Sequence, residues 1–316
     1  MVRYLSEDDV LATFTMNDAL RVLQAAARAQ AEGKAASAPR QRVSAGAATL
    51  NVLPAALDGR VGLKTYTIAP RGPRFWFTLY AQDGELLAII EANHLGQVRT
   101  GAASGLATQV LARADAATLG VIGTGFQART QLEAVCAVRP IRRALVWGRD
   151  RSRLEAFCTE MSSRCGIPVT SAANAHDAVT EADVVCVITS ASQPVLEGRW
   201  LKDGAHINAA GSNRLSAQEI DVETVRRAAL ITVEDVAQAK VESGDLRVAT
   251  EAGAFRWLDA IRLADLVAGR AEGRRSPEEI TLFKSLGIGL WDIAAANHVY
   301  DACVAAGRGT QLSLPG

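Results

Sequence analysis

The sequence predicts an α/β chain in two parts, a doubly wound parallel sheet and an α+β part built from the N-terminal residues and a C-terminal helix. Three observations carry this. Short β-type runs at Leu50 to Leu53, Val61 to Ile68, Phe75 to Tyr80 and Leu86 to Glu91 are separated by Pro54, Asp58-Gly59, Pro70 to Pro73 and Asp83-Gly84, which reads as an antiparallel meander. From Thr118 onward strands and helices alternate, the signature of a parallel sheet. The residues from Ser276 through Phe283 to Ala306 return to helix and Gly-broken loop.

Taken in order, the apolar and Ala positions from Asp18 to Glu32 recur at helical spacing, and Gly33 is a plausible stop. The meander follows, then an Ala-rich helix over Thr100 to Ala114. Strand Thr118 to Ile122 leads to helix Ala128 to Val138, and strand Ala144 to Trp147 to helix Ser152 to Arg164. Val184 to Ile188, Ala205 to Asn208 and Leu230 to Val233 supply three further strands. The expected division is 1–113, 114–290 and a returning segment 291–316.

A chain of 316 residues, 49% hydrophobic, can bury a sizeable core. Lys plus Arg balance Asp plus Glu at 34 each, so no global field favours nucleic acid or an anionic membrane; the expected partner is a small molecule. The apolar runs fall far short of the roughly 20 residues that span a bilayer, and Met1 to Asp9 lacks a signal-peptide pattern. Five irregularly spaced cysteines argue against a zinc site or a disulfide framework and fit a reducing cytoplasm. His94 and His206 have no second ligand at metal spacing, so both are expected to be structural and no metal is expected.

Gly123-Thr124-Gly125-Phe126-Gln127-Ala128 has the form GxGxxA directly after an apolar strand and before a helix. The first glycine permits the tight turn, the second lets backbone approach a pyrophosphate, and the small third residue lets helix pack on strand. The helix N-terminus offers amides and a positive dipole end to phosphate. These features predict a Rossmann site for NAD(P)H and hydride transfer. The second strand ends in Trp147-Gly148-Arg149-Asp150, with no carboxylate at the first loop position. Arg149 there favours NADP(H) over NAD(H), while a solvated helix start capped by Asp150 is the structural alternative.

The chain resembles the ornithine cyclodeaminase and mu-crystallin family, which includes alanine dehydrogenases and imine reductases. The resemblance rests on Gln97-Val98-Arg99-Thr100-Gly101-Ala102-Ala103-Ser104, the glycine turn, Gly204 to Asn213, Glu242-Ser243-Gly244-Asp245 and Phe283-Lys284-Ser285-Leu286-Gly287. It implies that the α+β part is a dimerisation domain and the protein a homodimer. It also implies that Arg40, after Pro39, and Lys64 bind a substrate carboxylate, with Arg42 a competitor for Arg40. Arg fits a carboxylate as a bidentate fork and Lys adds a point charge. Arg99 and Thr100 match the segment that touches cofactor phosphates and substrate, and Ser212 either contacts a ligand or caps the next turn. Asp292 matches a position near the site, with helix capping an equal account.

Cyclodeaminases carry Asp where this chain has Asn213. A carboxamide cannot take a proton from a substrate ammonium. The expected activity is therefore reduction of a cyclic or acyclic α-imino acid to an L-amino acid, or the reverse dehydrogenation. Asn213 would orient the nitrogen and Lys64 or a water would supply the proton. The alternatives are an ornithine or lysine cyclodeaminase and a small-ligand-binding protein of mu-crystallin type.

Overall fold

The computed structural model describes residues 1–313, so the last three residues of the expected segment 291–316 lie outside the described residues. The chain divides into two compact units, Met1–Thr100 with Ile288–Gly316, and Gly101–Gly287. The divisions thus fall earlier along the chain than the expected 113/114 and 290/291 boundaries. The first lies inside a single helix, whose continuity no local signal interrupts.

The first unit opens with β1 (Val2–Leu5), α1 (Glu7–Thr13) and α2 (Met16–Ala31). Capping boxes start both helices: Ser6 with Asp9, and Thr15 with Asp18, each satisfying two orphan amides. Strands β2 (Ala36–Ser37), β3 (Gln41–Ala45), β4 (Ala48–Leu57), β5 (Arg60–Ile68), β6 (Arg74–Tyr80) and β7 (Leu86–Glu91) follow. The expected meander is present, but Pro54 does not end its strand. It lies between the stretch of β4 paired with β3, ending at Val52, and the stretch paired with β2, starting at Ala55. The N–H that proline lacks is therefore not required by a ladder there.

Helix α3 (Asn93–Leu111) starts well before the expected Thr100. Its first amides are capped from far along the chain: Glu7 accepts from the backbone N–H groups of Asn93 and His94 at 2.7 and 2.9 Å. A cap supplied across 86 residues leaves no local signature.

The second unit contains β8 (Thr118–Ile122), α4 (Ala128–Val138), β9 (Arg143–Trp147), α5 (Arg151–Cys165), β10 (Val169–Ser171), α6 (Ala175–Val179) and β11 (Val184–Val187). Then come β12 (His206–Ala209), α7 (Val222–Arg227), β13 (Ala228–Val233), α8 (Val236–Glu242), α9 (Gly244–Glu251), β14 (Ala260–Arg262), α10 (Leu263–Val267) and β15 (Ile280–Lys284). The sheet order is β10-β9-β8-β11-β12-β15-β13-β14, with parallel pairing throughout. The order reverses between β8 and β11, the switch point outside which such sheets bind ligands.

Strand β15 corrects the expectation of helix and loop after Ser276. Ile280–Lys284 is wholly buried between β12 and β13. A strand inserted late between earlier ones has neither alternation nor a neighbouring helix to announce it.

The chain returns to the first unit with α11 (Gly289–Ala305) and β16 (Thr310–Leu312), which pairs antiparallel with β1. Helix α11 is apolar on nearly every side and packs on β4, β5, β6 and α2. A Cβ on Gly289 would lie 2.8 Å from the Pro54 carbonyl, so only glycine lets the first turn sit this close to β4. Trp291, in that turn, is fully buried.

Candidate active site

In the first unit, Lys64 lies on the inward face of β5 and is 3% exposed. Its Nζ donates to Asp292 Oδ1 at 3.0 Å, and Arg99 Nε, from α3, donates to the same oxygen at 2.8 Å. Asp292 is fully buried in the first turn of α11, inside the helix and past its N-cap, Ile288. The capping alternative is thereby excluded, and the residue is a counter-ion. Burial alone would push the Asp292 carboxyl up, but Arg99 and Lys64 outweigh it and hold it below the usual range. The positive end of the helix dipole acts in the same direction.

Burial is also the largest influence on Lys64, lowering it to about 8; Arg99 and Arg40 push the same way and Asp292 opposes them. An amine titrating there can hold or release a proton near neutral pH. Among the described residues, Lys64 and Arg99 make no side-chain hydrogen bond besides those to Asp292. Two buried cations therefore share one carboxylate oxygen, leaving an excess positive charge.

Of the two competing arginines, Arg40 is buried and close enough to act on Lys64, whereas Arg42 stands on the exposed strand β3. Three residues that sequence reasoning missed complete this region. Gly96 makes room for the ammonium: a Cβ there would lie 2.8 Å from Lys64 Nζ. Phe75 has its ring centre 5.1 Å from Lys64 Nζ, and Tyr66 stacks on Phe75 at 5.0 Å. A glycine inside the helix that follows the Lys64 meander was the only available signal for the first. Thr100 donates through Oγ1 to the Gly96 carbonyl at 2.7 Å.

In the second unit, Gly123 to Gln127 form the turn between β8 and α4. Gly123 has φ of 118°, and a Cβ on it would lie 2.2 Å from the Ile188 carbonyl, so glycine is required twice over. A Cβ on Gly125 meets nothing within 4 Å, so that backbone is open to a ligand. Ala128 is fully buried, as close packing of α4 requires. Gly148 lets the end of β9 approach the turn, since its Cβ would lie 3.0 Å from Thr124 Oγ1. Arg149 then stands exposed, while Asp150 caps α5 by accepting from Arg153 N at 3.0 Å. The open glycine, the helix start and the exposed Arg149 fit a dinucleotide.

Ser212 is buried; its Oγ accepts from Arg214 N at 3.4 Å, and Asn213 is half-buried beyond β12. His206 has the expected structural role. It is fully buried, bonded to Thr281 and Asn208, and lowered to about 3 chiefly by burial, so it is neutral. Among the described residues, no helix is long and apolar enough to cross a membrane.

Fold and site together define a two-unit α/β protein with a glycine turn of dinucleotide-binding form in one unit and a buried cluster of two cations on one carboxylate in the other. The model of the ornithine cyclodeaminase/mu-crystallin family matches residues 3–307, and the chain belongs to that family. It is similar to the Δ1-pyrroline-2-carboxylate reductase of Bacillus cereus, 37% identical over 277 residues, covering 84% of this chain and 85% of the relative. The alanine dehydrogenase of Archaeoglobus fulgidus is 31% identical over 319 residues and 98% of both chains. Among solved structures, the Δ1-pyrroline-2-carboxylate reductase of Thermococcus litoralis, in complex with NADH and L-proline, aligns with a TM-score of 0.94 at 33% identity, covering 98% of this chain and all of the other.

Proposed function

We propose that this chain is an NAD(P)H-dependent oxidoreductase that reduces the C=N bond of a cyclic or acyclic α-imino acid to an L-amino acid, or runs the reverse dehydrogenation. The observation that carries this is the pair of buried cations, Lys64 and Arg99, sharing one oxygen of Asp292. Their excess positive charge calls for an anionic ligand, because an unbalanced buried charge costs several kcal/mol, roughly 3–5 when one partner is lost. A substrate carboxylate supplies that charge. The named activities of the Bacillus and Thermococcus relatives and the bound L-proline support an α-imino carboxylate.

A dinucleotide held at the glycine turn would supply the hydride. Arg40, Lys64 and Arg99 hold the substrate carboxylate and so orient Cα. Asn213 presents its carboxamide to the nitrogen, and Lys64 or a water delivers the proton. Gly123, Thr124, Gly125, Phe126 and Gln127 hold the pyrophosphate, with Arg99, Thr100 and Ser212 as further cofactor contacts. Arg149 favours NADP(H), with NAD(H) as the alternative. That preference rests on Arg149 alone, since the Thermococcus relative was solved with NADH.

We place the protein in the cytoplasm as a homodimer. The outward face of the first unit's sheet carries half-buried Val52, Leu63 and Ile89 and partly exposed Trp76, where a solvated face would alternate to polar residues. Turnover of Δ1-pyrroline-2-carboxylate, iminosuccinate, and pyruvate plus amines, followed by loss of reduced-nicotinamide absorbance with each cofactor, tests the reading. No turnover on any of them refutes it.

A further inference from the structure

Two sequence motifs, Glu242 to Asp245 and Phe283 to Gly287, have no part in the chemistry above, yet the second unit brings them together. Lys284 ends β15 and is fully buried. Its Nζ donates to the Ser212 carbonyl at 2.9 Å and pairs with Asp245 Oδ2 at 2.8 Å. Asp245 Oδ1 in turn accepts from the backbone N–H groups of Glu219 and Ile220 at 2.7 and 3.1 Å.

Glu219, also fully buried, closes the circuit. Its Oε2 accepts from Gly211 N at 2.6 Å and its Oε1 from Thr189 N and Oγ1 at 2.7 and 2.8 Å. The loop from Gly211 to Glu219 is therefore tied at its start by Glu219, at Ser212 by Lys284 and at its end by Asp245. Two glycines, Gly211 in the loop and Gly244 in the first motif, allow this close packing. A Cβ on Gly211 would lie 2.3 Å from Glu219 Oε1, and one on Gly244 would lie 2.2 Å from the Ala217 carbonyl.

Irregular backbone beyond a parallel strand has no ladder to hold it, and a mobile loop places a side chain poorly. Desolvated charges are an expensive way to fix a loop. Here they converge on the three residues, Gly211 to Asn213, whose last member faces the reacting nitrogen in the proposed reaction. We propose that Lys284 is a positioning residue: anchored by Asp245, its ammonium fixes the Ser212 carbonyl and so sets where Asn213 presents its carboxamide. The role in catalysis rests on the imine-reduction reading; the role in holding the loop does not.

The test compares wild type with Lys284→Met/Asp245→Asn, in which no buried carboxylate is left without its cation at this pair, and with Glu219→Gln, which removes one acceptor of the Gly211 and Thr189 donors. Amide hydrogen exchange is read over 209–216 and over 121–129, alongside NADPH affinity, kcat and KM. In the double variant, exchange at 211–214 rises about tenfold or more while 123–128 is unchanged. NADPH affinity falls by no more than about tenfold, the loss of the one contact at Ser212, imine KM stays within about threefold, and kcat falls about a hundredfold, as for a misplaced group. Glu219→Gln gives the same local loosening at Gly211 and keeps the proposal testable if the double variant does not fold. A folded double variant with loop exchange unchanged overturns the proposal, as does a loosened loop with unchanged kcat. So does fast exchange of the Gly211 amide in wild type. If wild type reduces no imine, the reading of function fails while the exchange data still decide whether Lys284 holds the loop.

Discussion

Replacing Asp292 by Asn tests the candidate cluster at its centre. The carboxylate accepts from both Lys64 and Arg99, and Asn removes its charge while keeping its shape. With Lys64 at about 8, the amine is roughly 90% protonated at pH 7. A neighbouring opposite charge is worth about one to three pKa units, so without it the midpoint falls to between about 5 and 7. A two-unit fall leaves roughly one tenth of Lys64 protonated at pH 7, and kcat/KM for imine reduction drops about tenfold there.

The assay is the pH profile of kcat/KM on a cyclic α-imino acid. Wild type loses activity as pH rises through about 8, where the ammonium that holds the carboxylate and donates the proton is neutralised. The variant loses it one to three units lower and recovers as the pH is taken down. The stability sign follows from the same shift. A lysine whose folded pKa lies below its unfolded value binds fewer protons when folded, so Asp292→Asn gains stability as pH rises from its lowered midpoint toward 10.5. A folded variant whose alkaline limb stays near 8 would falsify the assignment of that limb to Lys64 paired with Asp292.

Three further outcomes follow from the same geometry. Arg40→Met raises KM for the imino acid about a hundredfold, as loss of a charged, buried contact should, whereas Arg42→Met on the exposed strand leaves it within about twofold; equal effects would reopen the choice between them. Gly96→Ala replaces a helical glycine and so favours the helix by about 1 kcal/mol, but its Cβ would meet Lys64 Nζ at 2.8 Å. Melting temperature is therefore held or raised while kcat/KM falls, and retained activity shows that the ammonium can move aside. Arg149→Ala lowers the NADPH over NADH preference in kcat/KM about tenfold through NADPH alone; an unchanged ratio removes Arg149 from cofactor choice.

The glycine turn was legible because everything that defines it is local. Gly123, Gly125 and Ala128 follow directly from strand Thr118–Ile122 and lead into the helix: Gly123 takes the positive φ of the turn, Gly125 leaves the backbone open and Ala128 lets the helix pack closely. The meander was legible through its turn residues, and the α/β class through alternation. Arg40 and Lys64 were named through resemblance and not by pattern, because a charged residue on an inward face looks the same in sequence as one on an edge.

Tertiary structure decided what depends on distant partners. Helix α3 starts at Asn93 because Glu7 caps it, and β15 is a strand because β12 and β13 flank it. Asp292 reads as a cap by its place near a helix start, and only its contacts with Lys64 and Arg99, 228 and 193 residues away in sequence, make it a counter-ion. Lys284 stands in the Phe283 to Gly287 motif, and only the place of β15 in the sheet puts its ammonium on the Ser212 carbonyl. The amino-acid sequence by itself determined the meander, the βα alternation, the glycine turn and the types of residue available for chemistry, since these follow from steric and periodic rules between near neighbours. The folded chain decided which charges share one oxygen and which loop is tied down, because Coulombic balance in a buried site is set by distances that the order of residues does not contain.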